Sequence, residues 1–295
     1  MKTGFVGLVG LTNAGKSTLV NQLLGEKVGI VTKKAQTTRR RILGIFNDED
    51  SQIVFVDAPG KVNDSKGLNG YLKDELAAVI EDSDALIAVL NIDAKNPNEL
   101  ESIIEMTARS GKPWVAVITK DDIPKPHRTM KLREMVKEAG GKAVAISALK
   151  RSDELLDLVL PLVKETLPET EHPLYPRDIY TTETERELVE EVVREKCFEL
   201  LHEEIPYGLA TKCIEYNESD KITHCLVDIV VSKKSHMSIV VGKGGQNLKK
   251  IGMNSRLDCE KRLGRKLMLK TYVKCVEDWP KRQSSLKEYG YAERT

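Results

Sequence analysis

Gly10-Leu11-Thr12-Asn13-Ala14-Gly15-Lys16-Ser17 fits the pattern G-x-x-x-x-G-K-S/T, a loop whose backbone N–H groups cradle a nucleotide's phosphates. Its flanks decide the fold. Phe5-Val6-Gly7-Leu8-Val9 runs into it with the apolar character of a buried strand. Ser17 to Leu24 leaves it as a helix, with Leu19, Leu23 and Leu24 at helical spacing. The loop therefore sits at a helix N-terminus, where free N–H groups and the positive end of the helix dipole favour an anion.

The chain has 295 residues, a length for about two domains. With 40% hydrophobic and 31% charged residues it can build real cores and a soluble surface. No stretch approaches the ~18 consecutive apolar residues of a membrane span. The opening MKTGFVGLVG is expected to be a strand, not a signal peptide. Cys197, Cys213, Cys225, Cys259 and Cys275 are odd in number and contain no C-x-x-C pair. Reduced core thiols in a reducing cytosol are expected, in place of disulfides or a zinc site. The net charge of +1 hides an asymmetry: Val231 to Thr295 carries 16 Lys/Arg against 6 Asp/Glu, a local +10, leaving −9 for the rest. A strongly basic end on a near-neutral chain points to nucleic-acid contact there.

Between the first helix and residue 41, Ile30 to Arg41 has little apolar periodicity and reads as an exposed loop with basic flanks. Ile42 to Phe46 and Ile53 to Val56, separated by Asn47-Asp48-Glu49-Asp50, read as a hairpin. The second of these strands ends in Asp57-Ala58-Pro59-Gly60, and an Asp there is suited to holding Mg²⁺ beside the phosphates. Ala85 to Leu90 and Trp114 to Ile118 are continuous apolar runs, typical of parallel strands covered on both faces, with a helix at about 98–109 between them. The latter strand ends in Thr119-Lys120-Asp121-Asp122; a further one, Ala143 to Ile146, ends in Ser147-Ala148-Leu149. Alternating strands and helices predict a doubly wound, mostly parallel α/β domain with its ligand at the carboxyl ends of the strands.

This ordered set resembles a small GTPase domain. The resemblance implies a GTP/GDP site formed by Asn13, Ala14, Gly15, Lys16, Ser17 and Thr18 at the phosphates. Lys16 would reach the β- and γ-phosphates; Ser17 and Thr38 would be the hydroxyl ligands of Mg²⁺, with Thr37 the neighbouring alternative and Asp57 behind the metal. The Gly60 N–H would sense the γ-phosphate. Asp122 would read guanine N1–H and N2–H₂, with Lys120 packed over the base and Ser147 and Ala148 behind O6. Guanine also follows from chemistry, since adenine offers an ionised Asp122 neither donor on the corresponding edge. Two positions depart from the family. Thr119 stands where an asparagine is usual, and Lys61 follows Gly60 where Ras-like proteins place a water-orienting glutamine. No catalytic base or water-positioning side chain is therefore named. Asn13 matches an asparagine that in some relatives helps bind K⁺ in place of an arginine finger, which makes K⁺ a candidate second cation.

Ser152 to Glu165 reads as a last amphipathic helix with Leu155, Leu156, Leu158, Val159, Leu162 and Val163 inward, and the proline-rich stretch after it as a linker. Thr184 with Glu187 fits a capping box opening a helix to about Glu203. Two strands, Leu209 to Tyr216 and Ile222 to Val231, follow. Ser238 to Leu248 then contains Gly242-Lys243-Gly244-Gly245, a basic helix runs to about Leu263, and a strand spans Leu267 to Val276. This α-β-β-α-α-β order resembles a type II KH domain, an α+β fold whose G-x-x-G loop lets a nucleic-acid backbone approach closely. Gly242, Lys243, Gly244, Gly245, Lys249 and Lys250 are the RNA-binding candidates, with Arg256, Lys261 and Arg262 adding charge. KH grooves take single strands.

A GTPase domain followed by a KH domain is similar to the Era family of bacterial ribosome-assembly GTPases over essentially the whole length. Gln36-Thr37-Thr38-Arg39, Arg194-Glu195-Lys196, Glu204-Ile205-Pro206-Tyr207, Ile239 to Gly245 and the tail around Asp278-Trp279 and Gly290-Tyr291 carry that resemblance. It implies the single-stranded 3′ end of small-subunit ribosomal RNA and the small ribosomal subunit as partners. It also implies loose, peripheral association with the inner membrane; a monomer is expected. The expected divisions are 1–168 for the GTPase domain, 169–183 for the linker, 184–276 for the KH domain and 277–295 for a tail. Two other classes compete: a metabolic P-loop kinase or ATPase, and a constitutive RNA-binding protein with a vestigial nucleotide site.

Overall fold

Alternating apolar runs become two units in the computed structural model, which describes every residue except 33, 63, 65, 148–152, 220 and 292–295, and not the side chain of Glu154. The first unit comprises Met1–Val31, Thr38–Ser65 and Leu72–Thr182; the second comprises Thr32–Thr37, Lys66–Tyr71 and Glu183–Thr295.

In the first unit the strands are β1 (Lys2–Gly10), β2 (Ile42–Asn47), β3 (Ser51–Asp57), β4 (Ala85–Asn91), β5 (Trp114–Thr119) and β6 (Lys142–Ala145). Among the described residues they form one sheet in the order β2-β3-β1-β4-β5-β6. β2 is antiparallel to β3, as the hairpin signal predicts, and the other pairings are parallel. β3 and β4 are buried at every position, and Ala85 to Leu90 of β4 reads as an unbroken apolar run because helices cover both faces. α1 (Lys16–Leu24) and α5 (Asp153–Thr166) bury Leu19, Leu23, Val159 and Val163 on one side. α2 (Gly67–Asp82), α3 (Pro97–Ala108) and α4 (Pro126–Glu138) bury Leu76, Val79, Leu100, Ile103, Leu132 and Val136 on the other. β1 lies between β3 and β4, so the order reverses beside it and leaves a crevice at the carboxyl ends. Residues 10, 57, 119 and 146–147 all fall at that edge.

In the second unit α6 (Glu185–Leu200), β7 (Leu209–Asn217), β8 (Thr223–Val231), α7 (Lys234–Val241), α8 (Gln246–Leu263) and β9 (Leu267–Cys275) follow in the expected α-β-β-α-α-β order. β7 and β8 are antiparallel and β8 and β9 parallel. The capping box at Thr184 is formed in both directions. One face of β8, Val227, Ile229 and Val231, packs with Val189, Val193, Cys197, Val240, Ile251 and Cys259 of the helices. Alternation puts Val230 on the opposite face. There the C-terminal stretch with α9 (Gln283–Glu288) covers Ala210 and Val230 with Trp279, Leu286, Tyr289 and Tyr291. The indole N–H of Trp279 donates to Gly208 O at 2.9 Å.

Several local expectations change. Residues 30–41 do not form an exposed loop: Ile30, Thr37, Thr38 and Arg39 are buried. Polar groups there are taken in by hydrogen bonds, which hydrophobic periodicity does not register. In α5, Leu160 is buried while Leu158 is 39% exposed. The proline-rich stretch is pinned along the first unit: Gln52 Oε1 accepts from the Leu174 and Tyr175 N–H groups, and Thr181 Oγ1 donates to Leu43 O at 2.8 Å. α2 and α4 were not singled out by apolar spacing; α4 buries only Leu132 and Val136.

Candidate functional site

The phosphate loop needs left-handed backbone at two positions, Asn13 (φ 61°) and Gly15 (φ 96°), and the second is the glycine that opens α1. Lys16 is 5% exposed and folds back on the loop, donating to Leu11 O at 3.0 Å and Gly10 O at 3.4 Å. Burial pushes its amine down to about 8, with the nearby Asp57 carboxylate opposing. Thr18 is half-buried in the first turn of α1. Gly60 lies against the loop so tightly that a Cβ would sit 2.5 Å from Thr12 N. The following Lys61 N–H donates to Gly10 O at 3.0 Å, and its ammonium donates to Ser102 Oγ at 2.8 Å. Lys61 thus ties the loop to α3.

Beside the loop, three residues that sequence reading separates by up to 40 positions come together. Ser17 Oγ donates to Asp57 Oδ2 at 2.5 Å, stands 2.9 Å from Thr38 Oγ1, and Thr38 Oγ1 lies 3.5 Å from the same carboxylate oxygen. Asp57 is 1% exposed, and its other oxygen, Oδ1, is buried with no hydrogen-bond partner among the described residues. Burial raises its carboxyl pKa, against the pull of Lys16, Ser17 and Thr38. A buried acceptor left unpaired is costly. Two hydroxyls and a carboxylate with that spare oxygen are the hard-oxygen donor set that a Mg²⁺ ion takes. Thr37 is otherwise engaged, donating to Lys34 O at 2.8 Å and lying 2.7 Å from Thr32 Oγ1.

Asn21 and Gly29 are two residues that the motif reading missed. Asn21 Oδ1 accepts from the Val28 and Gly29 N–H groups at 2.9 Å, and its amide donates to Gly29 O at 2.8 Å. A Cβ on Gly29 would stand 3.4 Å from Asp57 Oδ2, so the loop Asn21 clamps forms part of the wall around that carboxylate. The only signal was a polar residue inside a helix.

At the other end of the crevice, Thr119 Oγ1 donates to Ala14 O at 2.8 Å in a buried bond, tying β5 to the phosphate loop. Lys120 adopts left-handed backbone (φ 64°), and Ile123 N donates to Lys120 O at 2.9 Å. Ser147 Oγ donates to Asp122 Oδ1 at 2.8 Å, so two of the base-reading candidates face each other. Ala148 lies outside the described residues.

In the second unit the G-K-G-G turn joins α7 to α8 with Gly242, Gly244 and Gly245 at φ 75°, 60° and 78°. A Cβ on Gly244 or Gly245 would meet nothing within 4 Å, which leaves open space at the loop. Lys243, Lys249, Lys250, Arg256 and Lys261 are exposed. Arg262 is not: it is ion-paired with Asp258 at 3.1 Å and with the buried Glu195 at 3.3 Å, so it belongs to the fold rather than to a basic surface. The apolar reading of α6 also missed that its middle is buried on its charged side as well, Arg194 completely and Glu195 at 1%.

Comparison with known proteins covers both units. A family model described as 50S ribosome-binding GTPase matches residues 5–120, and a KH-domain model matches residues 204–280. The chain is 38% identical to GTPase Era of Clostridium botulinum (strain Eklund 17B) over 99% of each chain. It is 35% identical to GTPase Era of Neisseria meningitidis serogroup A over 98% of this chain and 94% of that one. Among solved structures it is similar to a point variant of Aquifex aeolicus Era bound to GDP and AlF₄⁻, with a TM-score of 0.92, 35% identity and coverage of 99% of this chain and 100% of that one. It is equally similar to Era in complex with MgGDPNP and nucleotides 1506–1542 of 16S ribosomal RNA, with a TM-score of 0.91 and the same identity and coverage.

Proposed function

Because the chain belongs to the Era family of GTPases, we propose that it is a switch in which GTP binding and hydrolysis govern the KH domain's hold on the single-stranded 3′ end of small-subunit ribosomal RNA. The observation that carries the nucleotide half is the triad of Ser17, Thr38 and Asp57 with the unpartnered Asp57 Oδ1 beside a phosphate loop. Bound Mg²⁺ would neutralise phosphate charge there. Lys16 leaves the Leu11 and Gly10 carbonyls for the β- and γ-phosphates, and the Gly60 N–H, held against Thr12, reports the γ-phosphate. Asp122, aligned by Ser147, accepts from guanine N1–H and N2–H₂, and Thr119 holds the loop through Ala14. No side chain is named as a base, and the catalysis we propose is positioning and charge stabilisation; Asn13 makes K⁺ a candidate contributor.

Support for the RNA half is the open G-K-G-G loop with its exposed lysines, together with the relative's complex with 16S ribosomal RNA. The G-domain model's description names the large subunit; the full-length matches cover both domains and are the more specific guide. We place the chain in small-subunit assembly and in the cytosol, on its family membership and its free cysteines. No helix among the described residues is long and apolar enough to cross a membrane, and peripheral attachment to the inner membrane is tested by fractionation. The domain limits proposed are those of the sequence reading, with 169–182 grouped with the first unit and the stretch from Trp279 to Tyr291 packed within the second.

Crosslinking the purified protein to RNA in GTP-analogue and GDP states, with the crosslinked sequence read out, tests the switch. A single-stranded 3′-terminal segment captured unequally in the two states is expected; equal capture in both states overturns it. Asp122→Asn should move preference from GTP toward xanthosine triphosphate, and wild-type protein that binds ATP as tightly as GTP contradicts the guanine reading.

A further inference from the structure

We propose that the solvent face of the second unit's sheet is a further RNA-contact surface, on which the Tyr272 ring stacks an unpaired base and Lys270 holds an adjoining phosphate. The inference rests on the RNA reading above and extends it to a face that the G-K-G-G loop does not reach. In the order β7-β8-β9, β9 is an edge strand, and its exposure alternates residue by residue from Leu267 to Cys275. Leu269, Val273 and Cys275 pack toward the helices with the core. Met268, Lys270, Tyr272 and Lys274 therefore stand on the opposite face. Met268 is 43% and Tyr272 54% exposed, so the ring serves no core. Lys270 lies two residues from Tyr272 on the same face, about 6.6 Å along the strand.

The charges around the ring favour an anion. Register sets Asp228 of β8 opposite Tyr272, but Asp228 is buried and its carboxylate is paired with Lys274 at 2.5 Å. Lys270 is exposed and has no carboxylate partner among the described residues. Glu215, which shares a row with Leu226 and Lys270, lies on β7, two strands or about 10 Å from β9. The core of a protein–protein interface is depleted of charge, whereas here a lysine separates the two exposed apolar side chains of β9. An aromatic ring in water beside an unpaired cation is the combination that holds a single strand, base on the ring and backbone on the charge. The segment that carries it is also the one with a local charge of +10. α7 and α8, which the loop joins, pack on the other face of the sheet. A strand held at the loop would come onto this face round the edge that β9 forms.

Two single-stranded RNA probes from the 3′ end of small-subunit ribosomal RNA separate this surface from the loop. One has four nucleotides, the length that a KH loop clamps; the other has twelve. Tyr272→Ala should weaken binding of the longer probe about 5- to 160-fold, as for loss of one base stack, and leave the shorter one unchanged. Tyr272→Phe keeps the ring and should bind both as wild type does. Lys270→Gln should flatten the longer probe's slope of log affinity against log salt by about 0.7. Ultraviolet crosslinking of the longer probe should label the peptide that contains Tyr272. Unchanged binding of the longer probe by Tyr272→Ala overturns the proposal, and so does an equal loss on both probes, which would place the effect in the loop or the fold. If Tyr272→Ala instead dissociates a wild-type dimer in sedimentation and leaves RNA affinity alone, the face joins copies of the chain and the proposal is again overturned. Gly244→Asp should weaken both probes. If it weakens neither, the loop reading has failed, and a loss with Tyr272→Ala still assigns RNA to the sheet face.

Discussion

Thr119 ties two elements together with a single hydroxyl. Its Oγ1 donates to Ala14 O in a buried bond of 2.8 Å, holding the phosphate loop to the end of β5. Removing the donor while keeping the shape leaves the carbonyl buried without its partner, at a cost of about 1–3 kcal/mol. Thr119→Val should therefore weaken GTP binding by up to roughly 5- to 160-fold by titration calorimetry, with base preference unchanged; wild-type affinity would mean that Ala14 is held by other means. Asp122 and Ser147 were legible because their motifs are short and their roles chemical. Asn21, Gly29 and Arg194 were not. Each finds its partner only through tertiary structure, Arg194 in a carbonyl 157 residues away, and a charged residue on a helix reads by default as solvated.

Elements were legible where one period dominates. β4 is apolar at every position but its last because both faces are covered, and the capping box at Thr184 announced α6 to the residue. Residues 30–41 misled because hydrogen bonds, not apolar side chains, bury them. The G-K-G-G turn is the element whose role is easiest to isolate. Gly244 is at φ 60° with nothing within 4 Å of a built Cβ, and Asp tolerates that backbone better than most residues. Gly244→Asp should leave the melting temperature and GTP hydrolysis unchanged while lowering RNA affinity at least about tenfold in a filter-binding assay; unaltered RNA binding would remove the loop from the interface. The C-terminal stretch as far as Tyr291 packs into an apolar cluster of the second unit. Trp279 is fully buried, stacks on Tyr291 at 5.8 Å and donates to Gly208 O. Trp279→Ala should cost about 3–5 kcal/mol, seen as a lower denaturant midpoint for the second unit's circular-dichroism signal; a midpoint within about 0.5 kcal/mol of wild type would contradict this packing.

At the scale of the molecule, charge is divided so that two phosphate-bearing ligands are met by different physics. In the first unit the phosphate site we propose would meet the anion with backbone N–H groups and one buried lysine, Lys16, interactions that mobile ions screen little. In the second unit the positive charge sits on exposed side chains, Lys243, Lys249, Lys250, Arg256 and Lys261, within a segment carrying +10. Binding of a single strand there should release counterions, with a slope of about −0.7 in log affinity per neutralised phosphate. If three to five of these side chains meet phosphates, RNA affinity should fall roughly 20- to 100-fold between 50 and 200 mM salt. GTP affinity at fixed Mg²⁺ should change much less over the same range. Replacing Lys249 and Lys250 together by Gln should flatten the RNA slope by about 1.4 and leave GTP binding alone. An unchanged slope would move the phosphate contacts away from α8, whereas a flattened one fixes the RNA path along the helix that the glycine loop opens.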